Sequence, residues 1–211
     1  MTLSWLGHSC FRLEGKEVSL LIDPFSKDIG LRAPRIKDQI ILVTHDHYDH
    51  NNTEGAEAGS MIINGPGEYE VKGVYIQGVP SFHDNINGAE RGPNTIYTTK
   101  FEEISLCHLG DLGQESLDEK QVDLIGDVDV LMVPVGGKYT IDAKEAVKII
   151  GQIEPKIIIP MHYKTPDLKI DLEPVDKFLK EVGLVPEKME KFKITQKTLP
   201  QEEMKLILLS Y

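Results

Sequence analysis

Residues 44–50 read THDHYDH and contain three of the seven histidines of this 211-residue chain. The apolar run IILV at 40–43 enters this stretch, and such a run is typical of a strand buried on both faces. A helix would divide the histidines and the second aspartate between two faces, whereas a loop at the end of a strand lets them converge. The pattern H-x-H-x-D-H would arise by chance in roughly 5 of 10,000 chains of this composition. The stretch therefore predicts a metal-binding loop.

The residue types in this loop indicate which metals it would hold and how many. Imidazole and carboxylate groups favour zinc, manganese or iron, because calcium and magnesium prefer sites made of oxygen ligands. A catalytic zinc takes three protein ligands and keeps one open position. Four ligand-type residues within six positions exceed that need. The sequence therefore predicts two metals, with further ligands elsewhere in the chain.

Three other segments place a ligand-type residue just beyond a predicted strand. His83 follows the strand in GVPSFHD, Asp111 lies in a glycine-flanked turn in ISLCHLGDLG, and His162 ends KIIIPMHYKT. Catalytic groups commonly gather at one rim built from strand ends and loops. These residues are the candidates for the remaining ligands.

Bulk composition limits the classes of partner. The formal charge is −11, which disfavours nucleic-acid binding because such a chain repels polyanions. Cys10 and Cys107 lie in apolar surroundings and are expected to be buried free thiols. No apolar stretch reaches the ~20 residues of a membrane span, and no signal-peptide pattern is present, so we expect a cytoplasmic protein with a small-molecule substrate. A homo-oligomer is compatible with this composition.

The order of the predicted strands and helices indicates one domain over residues 1–211. Short strands in a meander of hairpins fill the first half, and helices alternate with buried strands in the second. Helices are predicted over 140–153, with Asp142 near the N-terminus, and over 172–183, ending at Gly183. The tail from FKITQKT to MKLILLS predicts a last pair of strands. The glycines of GPGEYEVKG (65–73) lack the spacing of a phosphate-binding loop and favour a tight turn.

The chain resembles the metallo-β-lactamase superfamily. The resemblance rests on H-x-H-x-D-H after a buried strand, an isolated histidine, a Gly-Asp turn and a final histidine, in that order. Flanking segments WLGHSCF, LLIDPF and PMHYKT look most like the small single-domain hydrolases related to ascorbate-6-phosphate lactonase. The resemblance implies an α/β (α+β) fold, a four-layer αββα sandwich with two metals at one edge.

By position, the resemblance implies a complete set of seven ligands. The first metal would be held by His45, His47 and His83, the second by Asp49, His50 and His162, and Asp111 would bridge the two. Of these, Asp49, Asp111 and His162 are the expected catalytic residues. The cofactors would be two divalent ions, zinc in first place with manganese or iron as alternatives. Metals ~3.5–4 Å apart share a hydroxide and polarise the electrophile, and Asp49 is expected to orient that hydroxide.

Several neighbouring residues have weaker expected roles. Thr44 and Asp46 are candidates for fixing the ring tautomers of the ligand histidines. His8 is expected to be a structural histidine, with a substrate or supporting role as the alternative. His108 lies on a buried strand face and competes weakly with His83 as a ligand. Residues 163–164 are candidates for contacting a substrate oxyanion, against an ordinary rim position.

These features predict a metal-dependent hydrolase that cleaves an ester-like bond, in a lactone, a phosphodiester or an amide. A nuclease or phosphodiesterase acting on nucleic acid is one alternative, disfavoured by the negative charge and by the lack of room for an added gripping element. A catalytically silent metal-binding regulatory module is the other. An intact set of ligands with an open position argues against it, because binding alone does not require such a site.

Overall fold

Two β-sheets form the centre of the computed structural model, which describes residues 1–211. The strands, in chain order, are β1 (Thr2–Gly7), β2 (Cys10–Glu14), β3 (Ser19–Ile22), β4 (Ile40–Leu42), β5 (Met61–Ile63), β6 (Gly67–Val71), β7 (Val74–Phe82), β8 (Pro93–Phe101), β9 (Ile104–His108), β10 (Val130–Pro134), β11 (Ile157–Met161), β12 (Glu187–Met189), β13 (Lys191–Lys193) and β14 (Lys205–Leu209). The α-helices are α1 (Glu119–Ile125), α2 (Ala143–Ile153) and α3 (Asp176–Val182), and short 3-10 helices span Lys27–Ile29 and Gln196–Thr198.

The smaller sheet has the strand order β13-β1-β2-β3-β4-β5. Strands β1, β2 and β3 pair antiparallel, as the predicted meander requires, and β3, β4 and β5 are parallel. Alternate residues of β3 face opposite sides of this sheet: Leu20 and Ile22 pack into the main core, and Leu21 packs into a second cluster on the outer face. Both faces of β3 and β4 are thus buried, which explains their continuous apolar sequences.

The larger sheet has the order β12-β14-β11-β10-β9-β8-β7-β6. Strands β6 to β9 form an antiparallel meander, and β9, β10, β11, β14 and β12 are parallel. Every residue of β10 and β11 is buried. The segment predicted as a tight turn, 65–73, is mostly strand β6, and the turn lies at its end, at Lys72 and Gly73.

The helices contribute apolar faces to the main core cluster, and α2 begins as the sequence predicts. The Asp142 side chain accepts hydrogen bonds from the N–H groups of Lys144 and Glu145, so it caps the helix. Helix α3 ends at Gly183, which has a left-handed φ of 67°. Helix α1 was not predicted, because its seven residues are too few to give a clear helical period.

The predicted fold class is confirmed, with a difference in one outer layer. The outer face of the smaller sheet is covered by loops and the 3-10 helix Lys27–Ile29 rather than by an α-helix. Apolar residues from two separate segments fill this layer, among them Phe25, Ile36, Leu168 and Leu172. Proline and glycine in these segments, including Pro34 and Gly30, interrupt helical hydrogen bonding there.

The predicted last pair of strands does not pair with itself. Strand β13 joins β1 in the smaller sheet, and β14 lies between β11 and β12 in the larger one. The one-residue step at Glu190, between β12 and β13, transfers the chain from one sheet to the other. Sequence pattern identifies strands but does not specify partners when both sheets are available.

Both cysteines are buried free thiols, as expected: Cys10 lies in the outer cluster and Cys107 in the main core. None of the three α-helices is long and apolar enough to cross a bilayer.

Candidate metal centre

The predicted ligands meet where one edge of each sheet comes together. Strands β1, β3 and β4 run in the same direction in the smaller sheet, and β7, β9 and β11 do so in the larger one. Their carboxyl ends therefore lie along one rim. The polar residues that follow these ends are His8, Asp23, the segment 44–50, His83, Asp111 and His162.

Three of these residues end their strands in an unusual backbone conformation. His8, Asp23 and His162 have φ values of 54°, 47° and 51°, in the left-handed region that non-glycine residues seldom occupy. Such a residue breaks the alternation of the strand abruptly and turns its side chain along the rim. Strained conformations of this kind persist only where the surrounding structure holds them.

The segment 44–50 is a loop of bends and turns without helix, as predicted. The N–H groups of His50 and Asn51 donate to the His47 carbonyl at 2.9 and 3.1 Å, and the Asn52 N–H donates to the Pro24 carbonyl at 2.9 Å. The loop therefore folds on itself and is tied to the end of β3. Tyr48 points outward with 63% of its surface exposed.

One carboxylate oxygen, Oδ2 of Asp111, lies at the centre of the cluster. Four imidazole Nε2 atoms surround it, at 3.0 Å (His162), 3.2 Å (His50), 3.3 Å (His83) and 4.0 Å (His45). Burial opposes ionisation of Asp111, but His162 and His50 outweigh it and hold the pKa of this carboxyl well below its usual value. This is the position that a bridging ligand requires.

The seven predicted ligands fall into overlapping groups whose ligand atoms lie within 4.8 Å of one another. His45, His47 and His83 form one group. Asp49, His50 and His162 form another, together with His8. Asp111 joins His45 and His50 in a third. The structure thus brings all seven together, and the assignment of each to a particular metal stays a prediction.

Asp23 determines which nitrogen of two histidines is free. Its Oδ2 accepts from His50 Nδ1 at 2.9 Å and from the Thr44 hydroxyl at 2.8 Å. Since the Thr44 hydrogen is used in that bond, its oxygen accepts from His45 Nδ1 at 2.9 Å. Both Nδ1 atoms are therefore protonated donors, which leaves Nε2 of each ring to face Asp111.

The chemistry of these nitrogens fits a divalent cation. His45 Nε2 and His50 Nε2 are buried and have no hydrogen-bond partner. Burial, followed by His50, lowers the pKa of His45 to about 2, so this imidazole is neutral. Burial also opposes the charged form of His50, but Asp111 and Asp23 outweigh it and hold its pKa well above the usual value. A metal at His50 would thus displace a proton from Nε2.

The Gly-Asp turn is held by a buried amide. Asn94 Oδ1 accepts from the Asp111 N–H at 3.0 Å, and Asn94 Nδ2 donates to the Leu109 carbonyl at 2.9 Å. Gly110, between them, has a φ of +57°, and a Cβ there would meet Asn94 Oδ1 and lie 2.8 Å from the Thr44 Cβ. Glycine is required by both the backbone conformation and the close approach.

The loop after His83 is organised by Asp84. Its two carboxylate oxygens accept four backbone N–H groups at 2.8–2.9 Å, those of Ile86, Gly88, Glu90 and Arg91. Burial opposes ionisation, and the four donors outweigh it and lower the pKa of Asp84 to about 2. The His83 N–H donates to the Gly92 carbonyl at 3.1 Å, so the same loop fixes the ligand backbone.

The weaker expectations have mixed outcomes. Thr44 contacts the His45 ring, as expected, but Asp46 was a wrong prediction, since it is exposed and contacts the Asn51 side chain. His108 donates from Nε2 to the Ser9 carbonyl at 2.9 Å and stands apart from the group that contains His83.

The side chains of Tyr163 and Lys164 contact other parts of the protein rather than the predicted ligands. The Tyr163 ring packs on Trp5, with 5.1 Å between centroids, and Lys164 Nζ donates to the Leu168 and Ile170 carbonyls. The interpretation as an ordinary part of the rim therefore fits better than that of an oxyanion contact.

Sequence reasoning missed three residues that shape the centre: Asp23, Asn94 and Asp84. An acidic residue directly after an apolar strand, as in LLIDP, could have indicated Asp23, because the metal loop follows the neighbouring strand. Asn94 and Asp84 act through backbone groups brought near by folding, and no local pattern marks them.

Comparison with known proteins identifies the family. A family model described as "Beta-lactamase superfamily domain" matches residues 2–162. A UPF0173 metal-dependent hydrolase of Methanopyrus kandleri is 32% identical, over 87% of this chain and 94% of its own length. A similar relative from Staphylothermus marinus is 34% identical, over 77% of this chain and 83% of its own.

Solved structures show the same fold. A Thermotoga maritima protein assigned to the Zn-dependent hydrolases of the metallo-β-lactamase superfamily has 37% identity and a TM-score of 0.82, covering 99% of this chain and 97% of its own. Igni18, a metallo hydrolase of Ignicoccus hospitalis, has 23% identity and a TM-score of 0.63, with coverage of 86% and 90%, and supports the fold alone. With a matching family model, relatives above 30% identity and a cluster able to bind metal, the chain belongs to the metallo-β-lactamase superfamily, as a metal-dependent hydrolase of its UPF0173 group.

Proposed function

We propose that this protein hydrolyses an ester-like bond in a small molecule, a lactone, a phosphodiester or an amide, with two divalent metals bound at the rim. The first metal is assigned to His45, His47 and His83, and the second to Asp49, His50 and His162, with Asp111 between them. The observation that supports this proposal most directly is the position of Asp111 Oδ2, within 3.3 Å of imidazole nitrogens from both groups.

Two metals in such a site would lower the pKa of a shared water and polarise the carbonyl or phosphoryl group under attack. The protein's own part is to hold neutral nitrogens and ionised oxygens in place before the substrate arrives. Asp23 and Thr44 fix two ring orientations, and Asn94 fixes the turn that presents Asp111. Such preorganisation avoids a cost of rearrangement during the reaction.

The surroundings of the rim favour a small organic substrate. Tyr48 is exposed within the metal loop, Ile86 is half exposed in the loop after His83, and Tyr139 is partly exposed in the loop after β10. Arg91 stacks on the Tyr139 ring, 4.9 Å from its centroid. Apolar and aromatic side chains with few charged groups are typical of small-molecule sites. The formal charge of −11 disfavours a nucleic acid.

The test combines elemental analysis with a substrate panel. Purified protein is stripped of metal and reloaded with zinc, manganese or iron(II), and hydrolysis of lactone, bis-p-nitrophenyl phosphate, amide and thioester substrates is measured. We expect two metals per chain and turnover of at least one substrate class. Substitution His47→Ala or Asp111→Ala should abolish turnover, whereas Asp38→Asn, at a buried carboxylate that pairs with Arg12 away from the histidines, should retain it.

Two outcomes would contradict the proposal. A fully loaded protein that turns over none of the substrate classes would indicate a silent binding module. A single metal per chain, with Asp111 and His162 uninvolved, would exclude the two-metal mechanism.

A further inference from the structure

His8 lies inside the metal centre although it belongs to neither set of predicted ligands. Its side chain is fully buried, and its Nε2 lies 3.1 Å from Asp49 Oδ2. The ring also packs against His162 and His50, with centroids 4.4 and 5.0 Å away. Its other nitrogen, Nδ1, is buried without a partner. The Asp49 carboxylate is therefore the one polar contact of this imidazole.

The backbone, rather than the ring, determines where His8 stands. Its carbonyl accepts from Trp5 Nε1 at 2.9 Å and from the His162 N–H at 3.1 Å. These bonds reach it from both sheets, and they hold the left-handed conformation that turns the side chain into the rim. The imidazole is thus delivered to Asp49 by a rigid frame.

We propose that His8 is a positioning residue, whose Nε2–H donates to Asp49 Oδ2 and holds this carboxylate in place for the second metal. The inference rests on the proposed two-metal function. A carboxylate accepts and does not donate, so the proton in this pair is on His8. With Oδ2 held by His8, the Asp49 carboxylate is fixed against rotation before a metal binds.

A direct ligand role for His8 is the rival explanation. Its ligand atom also lies within 4.8 Å of those of Asp49, His50 and His162. The two roles differ in what can replace the imidazole. An amide N–H can take over a hydrogen bond to a carboxylate, whereas an amide is a far weaker ligand for zinc or cobalt than an imidazole.

The experiment uses the full chain with three substitutions at His8 and one control. His8→Gln places an amide N–H near the position of Nε2. His8→Leu removes the donor, and His8→Asn suits the left-handed backbone but is too short to reach Asp49. The control, Asp38→Asn, removes one partner of the buried ion pair with Arg12 before the start of β4, at the end of this strand away from residues 44–50. Stepwise zinc affinities are measured by competition with a chromophoric chelator, and cobalt(II) loading is followed by visible absorption.

We expect His8→Leu and His8→Asn to weaken one of the two binding steps by roughly 10- to 100-fold and to leave the other within about threefold. His8→Gln should restore the weakened step to within about threefold of the wild type and keep its cobalt spectrum. Asp38→Asn should lower the melting temperature of the metal-free protein and leave both affinities unchanged. In turnover, His8→Leu should lower kcat with little change in KM, and His8→Gln should recover it.

Three results would overturn the inference. If His8→Gln is as defective as His8→Leu and its cobalt spectrum changes, His8 is a ligand. If His8→Leu and His8→Asn bind both metals as the wild type does, His8 only fills space. If Asp38→Asn reproduces the loss, the effect follows from general destabilisation and not from the contact between His8 and Asp49. A wild type that binds fewer than two metals refutes the proposed function itself, and this is measured before any variant is compared.

Discussion

At the residue scale, the carboxylate of Asp23 makes three hydrogen bonds inside the rim. It accepts from the Thr44 N–H and from the Thr44 hydroxyl, both at 2.8 Å, and from His50 Nδ1 at 2.9 Å. Asp23 is not one of the predicted metal ligands. Its hydrogen bonds nevertheless determine which nitrogen is protonated in the rings of two predicted ligands, His45 and His50. Carboxylates of this kind raise the basicity of the ligand histidine and fix its orientation.

Asp23→Asn should therefore weaken metal binding without removing a ligand. The amide places a donor where a carboxylate oxygen accepted, so one bond to His50 or Thr44 is lost and a buried group is left unpaired. We expect roughly 10- to 100-fold weaker zinc binding and a loss of about 1–3 kcal/mol in the free energy of unfolding. Chelator competition and urea denaturation measure the two effects.

Asp38→Asn is the matched control for this change. Asp38 is also a buried carboxylate, but it pairs with Arg12 at 2.8 Å, away from the histidines. It should lose stability and keep its zinc affinity. Equal zinc affinities for Asp23→Asn and the wild type would show that Asp23 has no role in the centre.

Gly110 allows a second test at this scale, because two glycines separate strain from crowding. Gly110 and Gly183 have similar left-handed φ values of +57° and +67°, but a Cβ at Gly183 meets nothing within 4 Å. Both alanine substitutions should cost about 1–2 kcal/mol through backbone strain. Only Gly110→Ala should also displace the Asp111 turn, lower the metal content and reduce kcat. Thermal melting and elemental analysis of both variants check this, and normal metal content in Gly110→Ala would contradict it.

At the scale of elements, the parallel arrangement of strands explains how distant segments meet. Carboxyl ends of strands that run the same way reach one edge, and the two sheets bring two such edges together. The loops can then vary while the ends stay fixed by the core. The loop 84–92 is an example, since Asp84 organises it through backbone N–H groups alone.

This loop should depend on pH through Asp84. The folded pKa of about 2 lies below the ordinary value of 3.8, so the stabilisation is fully present above about pH 4 and is lost as pH falls toward 2. In the metal-free protein, a ¹³C NMR titration of the Asp84 carboxyl should give the lowered pKa. In Asp84→Asn, the amides of Gly88 and Arg91 should exchange faster already at neutral pH. A carboxyl that titrates near 3.8 would contradict the assignment.

The sequence was sufficient to predict most elements and the clustering of the candidate ligands, for a physical reason. Ligand histidines follow apolar strands, so both the strand and its end are visible in a local window, as at 40–50. The roles of His8 and Asp23 depend on contacts with Asp49 and His50, which lie 41 and 27 residues away along the chain, and a local window does not contain both partners. The separate partners of β13 and β14 depend on the same long-range choice.

At the scale of the whole molecule, the centre lies outside the main apolar core. The core is formed by residues of both sheets and the helices, whereas the predicted ligands lie on strand ends and loops. The metal-free chain should therefore keep its fold, unlike small zinc domains that fold only with metal.

Metal removal should thus lower stability without unfolding the protein. Chelation should leave the far-ultraviolet circular dichroism unchanged and lower the melting temperature, because bound metal stabilises the folded state by mass action. For one site, the free energy of unfolding increases by about 4 kcal/mol when free metal is 1,000 times its dissociation constant. Calorimetry with and without metal measures it. A metal-free protein without native circular dichroism would contradict this division between core and centre.

The left-handed residues at the strand ends have a consequence for how this protein can change. At His8 and His162 the backbone would be more relaxed with glycine or asparagine. A search for heat-resistant variants that ignores turnover would be drawn toward these positions and would remove the centre while improving the fold. A gene copy released from selection for catalysis would be expected to drift the same way. At these two positions, stability and chemistry favour different residues, and the present sequence retains the chemistry.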